Sequence, residues 1–153
     1  MIPYASKYFP PEDLAVFNEI QRAVKSLPDD LKLGVDEDKK PVVLSCHMLA
    51  RAVGKVFDLE IRDGSYIGPF DHSWLMTPSK WHIIDVYPVG MLGGPIAVDA
   101  KDQLSPGQRL YITKSTNWIS GGRFSKPSFR RSVYRLTQLL VAASVRSHGT
   151  AAP

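Results

Sequence analysis

His72-Ser73-Trp74-Leu75-Met76-Thr77-Pro78-Ser79-Lys80-Trp81-His82-Ile83-Ile84-Asp85 is the stretch whose reading decides the fold. Residues 72–76 and 81–86 alternate or run apolar, and the segment Thr77-Pro78-Ser79-Lys80 between them is rich in turn formers. The pattern predicts two antiparallel strands joined by a tight turn. With Met76 facing Trp81 across the turn, counting back along both strands sets His72 directly opposite Asp85. Directly opposed residues on one face have Cβ atoms roughly 4.5–5.5 Å apart. A carboxylate at that range accepts a hydrogen bond from one imidazole nitrogen and leaves the other free. In that arrangement an acid orients a histidine that works as a base.

A nucleophile is the missing third group, and the chain holds one cysteine, Cys46. The run Pro41 to Phe57 opens with a proline and carries Leu49, Val53, Val56 and Phe57 at helical spacing. Ser45 fits the N-cap of that helix and puts Cys46 in its first turn. Unpaired N–H groups and the positive dipole end favour thiolate over thiol there, and a neighbouring imidazolium lowers the thiol pKa further. Singly, each residue has a plainer reading: a small buried hydrophobe, a half-buried histidine, a strand end. Three such accidents would have to fall in the right elements and register, and the constellation outweighs them. A metal site drawn from Cys46, His47, His72, His82 and Asp85 is the weaker reading. Zinc ligands come in pairs at short fixed spacing, whereas Cys46 and His47 are adjacent on a helix and His82 takes the opposite strand face from Asp85. No metal and no cofactor are expected.

The run Cys46-x-x-x-Ala50-x-Ala52-Val53, the Arg62-Asp63-Gly64 step, His72-Ser73-Trp74 and Trp81-x-Ile83-Ile84-Asp85-Val86-x-Pro88 together resemble the transglutaminase-like core of the papain-like cysteine hydrolase superfamily. The resemblance covers residues 42–90, about a third of the chain, and is most specific in the hairpin. It implies an α+β, papain/transglutaminase-like fold with the cysteine helix packed on a small, mainly antiparallel sheet. It also implies that Cys46 is the nucleophile, His72 the general base and acid, and Asp85 the residue that orients His72. In that family a glycine or small polar group commonly precedes the nucleophile and an upstream glutamine or aromatic completes the oxyanion hole. Leu44-Ser45 precede Cys46 here, and the second donor is unassigned, with Asn18 and Gln21 on the first helix as upstream polar groups. The chain order Cys, His, Asp also resembles arylamine acetyltransferases, whose Arg-Gly-Gly before the cysteine is absent. Peptidoglycan-cleaving cysteine amidases are a further resemblance.

The 153-residue chain is 44% apolar, enough for one core without staples. Residues 1–146 read as a single domain and 147–153 as a flexible tail. Neither a spanning apolar run nor a leader pattern is evident, and one cysteine suits a reducing compartment. The expected location is cytoplasmic, or exported without a recognisable signal.

Pro10-Pro11-Glu12-Asp13 opens a first helix, with Leu14, Phe17, Ile20 or Gln21, Val24 and Leu27 on its apolar face and Pro28-Asp29-Asp30 as its stop. Residues 29–40 read as a charged, solvated loop. Leu59–Arg62 reads as a strand, Asp63-Gly64 as a turn, and Tyr66–Asp71 as a loop leading to His72. Gly90, Gly93 and Gly94 make a connector. Ile96–Val98 and Leu110–Thr113 add strands.

A last helix from Ser128 to about Arg146 buries Phe129, Val133, Leu136, Leu140 and Ala143 and turns Arg130, Arg131 and Arg135 elsewhere. Trp74, Tyr66 and Trp118 are candidate substrate-lining residues. The expected activity is a cysteine protease or amidase, with transferase activity allowed, acting on a peptide bond or a glutamine side chain through a thioester. The alternative is a non-catalytic binding module using the basic last helix on nucleic acid or an acidic partner. The net charge of +4 is too modest to favour it, and neither nucleic acid nor a membrane is expected as a partner.

Overall fold

The computed structural model describes residues 9–28, 45–86, 94–100, 110–115 and 122–149. Helix α1 spans Pro11–Lys25 and α2 Cys46–Phe57. Strands β1 (Ile61–Tyr66), β2 (Phe70–Met76), β3 (His82–Asp85), β4 (Ile96–Asp99) and β5 (Tyr111–Thr113) follow, then a 3-10 turn at Arg123–Ser125 and helix α3 at Pro127–Gly149. The strands form one antiparallel sheet in the order β4-β3-β2-β1-β5, so β1 to β4 make a meander and β5 returns to the free edge of β1. Helices packed against an antiparallel sheet make this an α+β fold, as expected.

One side of the sheet carries the main core. Leu75, Ile84 and Ala97 meet Phe17, Ile20 and Val24 of α1, Leu49, Ala50 and Val53 of α2, and Leu136 and Leu140 of α3. Burying a side chain of this size stabilises by about 1.5–3 kcal/mol relative to exposure, so this interface holds the helices in place. The opposite side closes over a second cluster, Trp74, Met76, Ile83 and Tyr111. Close approach fixes two glycines. A Cβ on Gly54 would stand 2.7 Å from Ile61 Cγ1, where α2 crosses the sheet. One on Gly64 would stand 1.9 Å from the Ile112 carbonyl oxygen and 2.7 Å from the Trp74 ring.

The hairpin differs from its expected register. Leu75 pairs with Ile84 and Met76 with Ile83, two residues from the predicted count. Thr77 partners His82: its N–H donates to the His82 carbonyl at 3.0 Å, and its Oγ1 accepts from the His82 N–H at 3.2 Å. The loop is therefore Pro78-Ser79-Lys80-Trp81, with Lys80 left-handed at φ 64, and Trp81 is an exposed loop residue instead of a strand residue. A slip of two keeps every side chain on its predicted face, because strand side chains repeat every two residues. His72 and Asp85 are thus diagonal instead of directly opposed, still within reach for long side chains.

Asp63-Gly64 is not a turn but the interior of β1, and the predicted Tyr66–Asp71 loop shrinks to Ile67-Gly68-Pro69 between paired Tyr66 and Phe70. Asp63 is tolerated in a strand because it is ion-paired with Arg51 at 2.8 Å. The predicted α1 face is largely observed, and Asp13 in the first turn is fully buried beside it. Helix α3 buries Phe129, Val133, Leu136, Leu140 and Ala143 as expected. The glycine connector lies outside the described residues up to Gly94, as do residues 29–44 and 150–153.

Candidate active site

Ser45 caps α2: its Oγ accepts from the Met48 N–H at 3.3 Å, and its carbonyl takes the Leu49 N–H at 2.9 Å. Cys46 is the first helical residue, as predicted, and is mostly buried. The N–H groups of Cys46 and His47 have no intrahelical partner at this position, so the thiol sits beside a positive helix end.

From the far side of the sheet, β2 brings His72. Its Nε2 donates to Asp85 Oδ2 at 2.7 Å, with both side chains buried. Tyr111 on β5 donates its hydroxyl to the same Asp85 oxygen at 2.8 Å. Burial first, and then the Asp85 charge, push the Tyr111 phenol far up, so it stays a donor. Nε2 is committed to Asp85, and the Cys46 thiol is among the groups that raise the His72 pKa.

The electrostatics follow. Burial disfavours the thiolate, but hydrogen bonds from His47 and His72 and their charges outweigh it and lower the Cys46 thiol to about 6. Burial likewise disfavours the imidazolium of His72, and the hydrogen bonds to Asp85 and Cys46 outweigh that, raising it to about 9. Between those values the thiolate and the imidazolium are each the favoured form.

His47 was expected to point away from the thiol because it is the next residue on the helix. In the structure it is among the groups that lower the Cys46 thiol, and its ring is held by partners on β2 and the 3-10 turn. Its Nδ1 lies 2.6 Å from Ser73 Oγ, which donates to Asp63 Oδ1 at 2.5 Å. Arg51 fastens this group, reaching Asp63 Oδ2 at 2.8 Å and Ser73 Oγ at 3.3 Å while its guanidinium lies 3.9 Å above the Phe124 ring. Among the described residues every buried side-chain nitrogen and oxygen has a hydrogen-bond partner.

The other predicted site residues fare differently. Trp74 is 1% exposed and belongs to the second core, edge-on to Tyr111, so its ring packs over Gly64 and lines no open groove. Tyr66 is half-buried, its ring 5.2 Å from that of His72. Trp118 lies outside the described residues. Gln21, one of the upstream polar groups, donates to the Pro95 carbonyl at 3.2 Å. His82 turns to α1 and pairs with Asp13, away from Asp85. Among the described residues no group of three or more His, Cys, Asp or Glu side chains is arranged to hold a metal ion, and no helix is long and apolar enough to cross a membrane. Tyr111 is the residue that sequence reading missed, since it lies 26 positions from Asp85 with no local signal. His47 entered only as a metal-ligand candidate, although the Ser45 cap already placed it in the same first turn as Cys46. Comparison with protein-family models, with curated proteins and with solved structures returns no match.

Proposed function

We propose that this protein is a cysteine hydrolase or acyltransferase acting on an amide, a peptide bond or a glutamine side chain, through Cys46, His72 and Asp85. The observation that carries the reading is the buried His72–Asp85 pair at 2.7 Å, packed beside a helix that opens on Cys46, whose thiol is lowered to about 6. The papain/transglutaminase-like resemblance of residues 42–90 supports the same assignment. In acylation the Cys46 thiolate forms a bond to the carbonyl carbon and the carbonyl π pair moves to oxygen. The C–N bond then breaks as the oxygen pair returns, and the departing nitrogen takes the proton of the His72 imidazolium. A thioester and a neutral His72 remain. Water attacks next, His72 takes its proton, and the C–S bond breaks to release the acid and restore the ion pair. An amine in place of water makes the enzyme a transferase. The Cys46 N–H at the helix end supplies one donor to the oxyanion.

The test is direct because the chain has a single cysteine. The protein is incubated with peptide amides and glutamine-containing peptides, quenched in acid and weighed intact by mass spectrometry. An acyl adduct on wild type that is lost in Cys46→Ala, with release of amine or ammonia, supports the reading. Amide turnover that persists in Cys46→Ala, or no adduct and no release, overturns it.

A further inference from the structure

Asp85 serves two donors through one atom. Its Oδ2 accepts from His72 Nε2 at 2.7 Å and from the Tyr111 hydroxyl at 2.8 Å. A carboxylate oxygen has two lone pairs to offer, and two bonds on it hold the carboxylate against rotation. The second bond spans a long way. Tyr111 is on β5 and Asp85 on β3, with β1 and β2 between them. Strands about 4.8 Å apart would put β3 and β5 of a flat sheet roughly 14 Å apart, beyond the reach of a tyrosine and an aspartate. The hydroxyl arrives because the sheet curls toward this face, around buried Trp74, Met76, Ile83 and Tyr111. Gly64 permits the curl: it pairs with His72 on one side and Thr113 on the other, and a Cβ there would meet the Ile112 carbonyl and the Trp74 ring. His72 lies on β2 between the two ends of this tie, its ring 6.2 Å from that of Tyr111. A buried tyrosine hydroxyl usually finds a partner. This one takes the oxygen that His72 also uses.

We propose that Tyr111 is a positioning residue for the reaction, a neutral donor on Asp85 that fixes the carboxylate for His72 and weakens its pull on the imidazolium proton. The inference rests on the proposed roles of Cys46, His72 and Asp85 and adds how they are tuned. His72 must surrender its proton to the leaving nitrogen, and a carboxylate bound by His72 alone would hold that proton more tightly. With the hydroxyl sharing the charge on Oδ2, the imidazolium is oriented without being over-stabilised. The titratable groups facing His72 are Asp85 on β3, Tyr111 on β5, Tyr66 on β1 and Cys46 on α2. The other nearby charges are engaged elsewhere: Asp63 with Arg51 and Ser73, His47 and Asp71 with Ser73 and Arg123, and Asp13 of α1 with Ser79 and His82.

Tyr111→Phe keeps the ring against Trp74 and Tyr66 and removes only the hydroxyl. The His72 imidazole is titrated by NMR in histidine-labelled protein, assigned with His72→Gln, and denaturant unfolding is measured beside it. The inference predicts that the His72 inflection moves up by about one unit, the order of effect of a hydrogen bond to a charged group. With the peptide amide that acylates wild type, kcat is expected to fall several-fold while KM changes little. A merely structural hydroxyl would leave the inflection in place, or lower it as the loosened carboxylate drifts from the ring. Either result in folded Tyr111→Phe overturns the inference and leaves the Cys46 chemistry standing. No acyl adduct on wild-type Cys46 overturns the function reading, and the inference with it, whatever the inflection does. Should Tyr111→Phe fail to fold, 3-fluorotyrosine placed at position 111 by codon suppression tests the opposite sense. Its more acidic hydroxyl donates more strongly to Asp85, and the His72 inflection is expected to fall; an unmoved or raised inflection rejects the inference.

Discussion

Two buried histidine–aspartate pairs sit on the same β2–β3 hairpin, on opposite faces, and do different things. His72 Nε2 meets Asp85 at 2.7 Å, and the Cys46 thiol is among the groups that raise the ring's pKa. His82 Nδ1 meets Asp13 at 3.2 Å, under the Phe9 ring stacked 4.2 Å away. Asp13 also accepts from the Ser79 N–H at 3.0 Å and from Ser79 Oγ at 2.5 Å, so this pair fastens the start of α1 to the hairpin loop. The chemistry of the pairs is alike. What separates them is what lies around each: the helix-end Cys46 thiol, proposed as nucleophile, in one case, loop donors and an aromatic lid in the other. A buried histidine–carboxylate pair is thus a stapling device by default, and it gains catalytic meaning only from what its second nitrogen touches.

Replacements break this contrast unevenly. Cys46→Ala is expected to have the largest effect, removing every covalent intermediate while the far-UV circular dichroism stays native; retained turnover would dissolve the distinction. Next comes Asp85→Asn. An amide there no longer fixes the His72 tautomer, and turnover is expected to drop by roughly 10³–10⁴-fold in steady-state kinetics with a detectable residue of activity. Unchanged turnover would reduce Asp85 to the same stapling role as Asp13.

Asp13→Ala should do the reverse. It removes the acceptor that the Ser79 donors and His82 share, at a cost of about 1–3 kcal/mol in denaturant unfolding, and leaves the Cys46 inflection where it was. The acid limb carries the same signature. Burial disfavours the Asp13 carboxylate, but hydrogen bonds from Ser79, Thr77 and His82 outweigh it and hold its pKa below the ordinary value. Its stabilisation is therefore complete above the ordinary carboxylate range and is lost as pH falls below it. Asp13→Ala should flatten that part of the stability–pH curve.

The smallest effect is expected from neutralising Arg130 and Arg131, which are exposed on α3. Amide turnover should stay nearly unchanged, and any binding to nucleic acid should weaken steeply with salt. A salt-resistant, sequence-selective complex together with an inert Cys46 would favour the binding-module alternative.

The same contrast shows which parts of the molecule can be read from sequence. The cysteine helix and its Ser45 cap, the two hairpin strands and the buried face of α3 are local patterns, and each is observed where its periodicity or capping chemistry put it. The His72–Asp85 contact survives a register error because the error is even-numbered and preserves the face. The error itself has a physical source: turn-forming residues announce a loop without saying which of them adopts the left-handed conformation, and that residue is Lys80. Asp63-Gly64 has turn composition but lies in a strand, because Arg51 and Ser73 bind the carboxylate and the Trp74 ring needs the glycine's missing side chain. The Asp13–His82 pair spans 69 positions and Tyr111–Asp85 spans 26, and no spacing rule joins residues that only tertiary folding brings together.

The central claim is that Cys46 rests as a thiolate paired with the His72 imidazolium. With one cysteine in the chain, ultraviolet absorbance of the thiolate followed against pH in the native protein reports it without ambiguity. A rise in absorbance centred near 6, with the thiolate fully formed at neutral pH, is the predicted result. A rise centred at or above the ordinary thiol value of about 8.5 would contradict it.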